Sequence, residues 1–143
     1  MGLSYFWSYM YYLTQARSEY YVHSPFVYAL MCDCLKRPGA HIRPESRDRL
    51  WERLGGFLLR SHAAVRLTRI PPGRPIGDTF RGLEEAGRAA VFIDLPHRDK
   101  TREADWNALC ADPKIALTID LFRVGLAFPC RDMDKEHFCL RYF

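Results

Sequence analysis

AVFIDLPHRD, residues Ala90–Asp99, sets four apolar residues in front of Asp94 and places His97 just beyond it. A short apolar run closed by turn-forming residues is the pattern of a buried strand. The stretch that follows predicts a helix from Thr101 to about Ala111. A strand that feeds directly into a helix is the basic step of an α/β fold, and the rest of the chain extends that step in both directions.

Downstream, KIALTID and VGLAF read as strands and EHFCLRY as a last one. The alternation of strand and helix predicts parallel βαβ units. The closing pair, VGLAF and EHFCLRY across PCRDMDK, predicts an antiparallel hairpin. Upstream, AAVRLTRI alternates apolar with basic or polar residues, the period of a strand. One face is so charged that the strand is placed near a sheet edge. RIPPGRPIGD then reads as a loop, because its prolines and glycines prevent regular pairing, and a short helix capped by Asp78 or Thr79 follows to Glu85.

The first 61 residues read as helices. Leu3, Phe6, Trp7, Met10, Tyr11 and Leu13 recur at three- and four-residue spacing and define one broad apolar face. In HSPFVYALMCDCLKR, Ser24 suits a cap and Pro25 the first helical position, and Pro38 and Gly39 end the helix. A third helix begins near Pro44 and sends Leu50, Trp51, Leu54, Phe57 and Leu58 to the core, with Gly55 and Gly56 weakening its middle. The expected organisation is a single domain, residues 1–143, with an N-terminal helical segment over 1–61 and an α/β core over 62–143.

Composition narrows the function. The chain has 143 residues, 48% of them hydrophobic and 14% aromatic, enough for one cored domain. No apolar run approaches the roughly 20 residues needed to span a bilayer. The N-terminus lacks the basic region and cleavage site of a signal peptide, and a cytoplasmic protein is expected. The net charge of +4 is carried mostly by arginine, and Arg47, Asp48, Arg49, Glu52 and Arg53 read as the solvated side of a helix. With no RNA- or DNA-binding signature beside it, the charge does not predict nucleic-acid binding.

Five cysteines with no CxxC pair predict neither a disulfide framework nor a metal site. Cys32 and Cys34 on a helix would point about 200° apart, which leaves no ligand geometry with His23 or His41. No nucleophile elbow, HExxH, Walker loop or dinucleotide fingerprint occurs. The aromatic residues of the first helices serve packing first, with a homo-oligomer or protein partner as the alternative use.

DPKIALTIDLFRVGLAF with KEHFCLRY, AVFIDLPHR and the upstream YYVHSPFVYAL resembles the class I S-adenosylmethionine-dependent methyltransferases, in particular a bacterial O-methyltransferase-like group. In that group an N-terminal helical segment with an HSPF motif precedes a Rossmann-like sheet that closes on a TIDLF-x-x-G strand and an HF-containing strand. The resemblance covers about residues 20–31 and 89–143. It implies a Rossmann-like fold, S-adenosylmethionine as cofactor, and Asp94 with His97 as an acid/base or ligand pair.

The middle of the chain departs from the group. Family members hold the cofactor with a glycine-rich loop, and here only Gly73 and Gly77 are on offer, close to a Pro pair that supplies no amide donor. No strand ending in Asp or Glu follows at the distance expected of the ribose-binding acid, because the next strand is already AVFID. A full seven-stranded sheet needs roughly 150–180 residues, and only about 80 remain from Ala63 to Phe143.

The expected fold is therefore a truncated Rossmann-like sheet with a C-terminal hairpin and an N-terminal helical layer. The leading expectation for function is a degenerate methyltransferase. The alternatives are an active enzyme that completes its site by oligomerisation and a non-enzymatic interaction module. For Asp94 the plainer role is to cap the loop or helix ahead, and for His97 a surface position. Asp120 reads as a turn former, and His137 and His23 as structural.

Overall fold

The computed structural model describes residues 3–15, 29–30, 34–35, 46–61, 66–77, 89–129 and 135–140. Three helices are described: α1 (Leu3–Gln15), α2 (Arg47–Ser61) and α3 (Lys100–Ala111). The strands are β1 (Arg66–Ile70), β2 (Ala89–Asp94), β3 (Leu117–Asp120), β4 (Val124–Phe128) and β5 (Glu136–Cys139). They form one mixed sheet in the order β1-β2-β4-β3-β5. The protein is thus α/β, and the strands and the helix expected around AVFIDLPHRD are all present.

Strand β1 lies at the edge, as its charged face predicted, and pairs parallel with β2. The pairing of the later strands differs from expectation. VGLAF does not pair with EHFCLRY: β4 turns back antiparallel on β3 through residues 121–123 and inserts between β3 and β2. β5 instead adds to the far side of β3, parallel to it. The reason lies in the turn. The three residues between β3 and β4 make a tight hairpin, closed by the Leu121 amide donating to the Val124 carbonyl at 2.9 Å.

Alternation along β2 sorts the core into two layers. Ala90 and Phe92 face α2, with Leu50, Leu54, Phe57 and Leu58. Ala89, Val91 and Ile93 face α3, with Trp106 and Leu109. All six residues of β2 are buried, as expected for an interior strand covered on both faces. Helix α2 buries the residues its periodicity selected, with Trp51 half-buried against the Phe92 ring at 5.5 Å. Gly55 and Gly56 are carried inside it without a break.

Helix α1 is turned differently from its apolar spacing. Leu3, Phe6, Trp7, Met10 and Tyr11 are exposed. The side that packs is Tyr5, Tyr9, Tyr12 and Leu13, gathered on Phe122. A tyrosine brings a large apolar ring and a hydroxyl that still finds a partner, and the Tyr12 hydroxyl donates to the Leu140 carbonyl. No helix of the described residues is long and apolar enough to cross a membrane. The HSPF motif, its cap at Ser24, the residues His23, His41 and Cys32, and the helix expected over 78–85 lie outside the described residues.

Candidate functional site

Four parallel strands end together. Ile70, Asp94, Asp120 and Cys139 close β1, β2, β3 and β5 at one edge of the sheet, where β4 begins. Open α/β sheets place their ligands at this edge. Two non-glycine residues with positive φ stand here as well, Leu95 directly after β2 and Phe122 in the β3–β4 turn. Backbone held in the left-handed region costs on the order of 1 kcal/mol per residue and gathers at sites where the surroundings enforce it.

Asp94 and Asp120 point to opposite faces of the sheet. Asp94 turns toward α2 and is fully buried. Arg69 donates to it in a fork, Nε to Oδ2 at 2.6 Å and Nη2 to Oδ1 at 3.0 Å. Arg47 in the first turn of α2 adds Nη1 to Oδ1 at 2.7 Å. Arg69 also reaches Asp48 at 2.7 Å and lies over the rings of Trp51 and Phe92. This ion cluster fastens α2 and β1 to the end of β2. Asp94 does not cap the following helix. That place belongs to Asp99, which accepts from the Arg102 amide at 2.9 Å, and that bond, with Arg98 beside it, holds the Asp99 carboxyl below its usual range.

Asp120 turns toward α3, and His97 goes to it. The imidazole Nε2 lies 2.7 Å from Asp120 Oδ2, and Nδ1 lies 2.5 Å from Glu103 Oε2. The ring stacks on Phe122, with centroids 5.0 Å apart and planes 9° from parallel. His97 is therefore buried, not at the surface. Besides His97, Asp120 takes the Trp106 indole N–H at 3.2 Å and the Phe122 amide at 2.8 Å. The last bond is the turn-forming role expected of it. The partnership with His97 is the part that spacing did not reveal.

The expected Asp94–His97 pair is thus divided between two clusters. Burial opposes charge on His97, but the hydrogen bonds and charges of Asp120 and then Glu103 outweigh it, and the imidazole pKa is raised. Carboxylates only accept, so a ring between two of them donates from both nitrogens. No nitrogen is left to take a proton from a substrate. The arrangement is an anchored imidazole with its charged form favoured, suited to holding α3 against the sheet.

Arg102 occupies the space between the ends of β1 and β2. It is buried. Its guanidinium donates to the carbonyls of Asp94 (2.8 and 3.1 Å), Leu95 (3.1 Å), Arg74 (2.7 Å) and Pro71 (3.2 Å). Arg98 adds a bond to the Pro72 carbonyl at 2.7 Å. The loop after β1 therefore turns the carbonyls of Pro71, Pro72 and Arg74 toward the two guanidiniums. Gly73 and Gly77 lie in this loop, and a Cβ at either would meet nothing within 4 Å. These residues do not fit the nucleoside and methionine tail of S-adenosylmethionine, which need amide donors and a free carboxylate.

On the other side of His97 opens a cleft of about 970 Å3. One wall is α1, through Leu3, Ser4, Trp7, Ser8 and Tyr11; the other is α3, through Lys100, Glu103, Asn107 and Cys110. Asp120, His137, Phe138 and Cys139 form the floor, with His97 and Trp106. The Cys110 and Cys139 thiols are pushed up to about 12 by burial, which makes both poor nucleophiles. Burial lowers the His137 pKa, and Thr118 Oγ1 lies 2.7 Å from its Nδ1. Among the described residues no group of three or more His, Cys, Asp or Glu is placed to hold a metal ion.

The chain matches no family model, no curated protein and no solved structure.

Proposed function

We propose that this chain is a cytoplasmic, methyltransferase-like domain that has given up methyl transfer and acts by binding. The observation that carries the reading is the Arg102 guanidinium, which spends its hydrogen bonds on four backbone carbonyls where a cofactor loop would offer amides. The commitment of Asp94 to Arg47 and Arg69 supports the same reading, since a carboxylate so bound has little to offer a ribose. So does His97, whose two nitrogens are both engaged.

Calorimetry with S-adenosylmethionine and S-adenosylhomocysteine tests this. No saturable heat is expected from the folded protein at millimolar ligand. Saturable binding that disappears in Asp94→Ala would restore the active enzyme, including one that completes its site across an oligomer.

A second reading, a contact surface for a second copy or a protein partner, is favoured by the exposure of Leu3, Phe6, Trp7, Met10 and Tyr11 on α1. Contiguous exposed apolar surface is the usual mark of an interaction site. Light scattering across a concentration series tests it: a mass above one chain that falls in a Phe6→Ser, Met10→Ser variant supports it, and a constant monomer mass removes it.

A further inference from the structure

Two helices stand apart over the end of the sheet, and the groove between them has aromatic residues on one side and carboxylates on the other. Trp7 and Tyr11 sit one turn apart on α1, with rings more than half exposed. Glu103 faces them from α3 and Asp120 lies at the floor. A volume of about 970 Å3 is at the upper end for small-molecule sites. No segment of the described residues fills it.

The charge in the groove has one sign at depth. His97 carries at most one positive charge between Asp120 and Glu103, so the trio is net negative whichever protonation state it holds. Both Asp120 oxygens are engaged, Oδ2 by His97 and Trp106 and Oδ1 by the Phe122 amide, whereas Glu103 Oε1 has no partner among the described residues. His137, whose Nδ1 lies 2.7 Å from Thr118 Oγ1, has its pKa lowered by desolvation, which opposes a positive charge there. Lys100 is the one cation on the rim among the described residues that line the cleft; it is exposed at the start of α3 and its ammonium is free to stay in water.

An electron-rich ring wall opposite a partly buried carboxylate selects a cation with an apolar body. The ring faces attract the positive charge, more strongly as water is excluded. The carboxylate adds a Coulomb term that an anion or a neutral molecule does not gain. We propose that the cleft between α1 and α3 is a binding site for a small organic ammonium, held by Trp7 and Tyr11 on one side and Glu103 on the other. The same occupant accounts for the exposure of Leu3, Trp7 and Tyr11, which a ligand in the groove would cover. The site lies across His97 from Arg102 and does not depend on the state of the cofactor end.

The test uses the whole chain and three probes of one shape: benzyltrimethylammonium, benzyl alcohol and phenylacetate, each titrated by calorimetry and by tryptophan fluorescence. The ammonium is expected to bind saturably, at least about tenfold more tightly than the other two. Trp7→Ala is expected to weaken it by about five- to tenfold, and Glu103→Gln by a similar factor that added salt reduces in the wild type. Trp7 is exposed, so its truncation leaves the fold intact, and circular dichroism verifies both variants. No saturable binding by the folded protein, equal binding of the alcohol or the carboxylate, or an affinity unchanged in Trp7→Ala overturns the proposal.

Discussion

His97 and Phe122 stack face to face at the end of the sheet, and the same Asp120 that grips the His97 imidazole also accepts from the Phe122 amide. One carboxylate thereby fixes a ring, a strained turn residue and, through Trp106, helix α3. Any change at Asp120 reaches all three.

The pH dependence of this cluster has a definite sign. His97 has a raised folded pKa, so its contribution to stability is fully present below about 6.5, the unfolded value, and is lost as pH rises through the folded value. His137 works in the opposite sense: its lowered pKa makes stability fall as pH drops below about 6.5. Imidazole NMR titration is expected to place His97 above and His137 below the ordinary value, with Asp120→Asn bringing His97 down. Thermal denaturation of His97→Phe should lose the alkaline slope and show a loss of about 3 kcal/mol from the stranded carboxylates.

Arg102 is expected to be among the most costly side chains to truncate. Arg102→Ala takes a donor from four backbone carbonyls, and of these the Asp94 carbonyl is the buried one, a loss of about 1–3 kcal/mol. Urea unfolding measures it. Arg102→Lys should recover only a fraction, because one ammonium cannot reproduce a planar fork.

Gly125 is a glycine for lack of room. A Cβ there would lie 2.7–3.1 Å from three atoms of the Trp106 ring, and that ring is fully buried. Gly125→Ala should therefore cost about 1–3 kcal/mol. Adding Trp106→Leu, which removes the obstructing atoms, should make the pair less than additive. This gives a physical reason for the glycine in TIDLFRVG.

Removing the Asp94 carboxylate tests the other face. Asp94→Ala unpairs Arg47 and leaves Arg69 with Asp48 alone, both arginines being partly exposed and so able to recover water. The expected loss is about 3 kcal/mol, at the lower end for breaking a buried pair, with α2 loosened from β1. Hydrogen exchange across Arg47–Ser61 should speed up more than across α3.

Much of this architecture was legible in the residues. The strand ending at Asp94, the helix after it and the charged edge strand follow from periodicity and turn chemistry, which are local. What periodicity could not supply is which strands pair and which carboxylate meets which base. β4 inserts between β2 and β3 because the turn at residues 121–123 is tight, and that insertion brings Asp120 and the β2 end to one edge. Asp94 and His97 looked like partners because they are close in sequence, but they answer to opposite faces of the sheet. The tyrosine side of α1 escaped for another reason: tyrosine ranks as amphipathic, and its packing on Phe122 depends on hydroxyl partners such as the Leu140 carbonyl, far away in sequence.

The central claim is that Arg102 closes the end of the sheet where a cofactor would lie. The direct measurement is a 15N-resolved NMR titration of the folded chain with S-adenosylhomocysteine to millimolar concentration, following the Arg102 Nε–H and the Gly73 and Gly77 amides. The account predicts that none of these signals moves. Saturable shifts at the two glycines, with the Arg102 signal released into fast exchange with water, would contradict it.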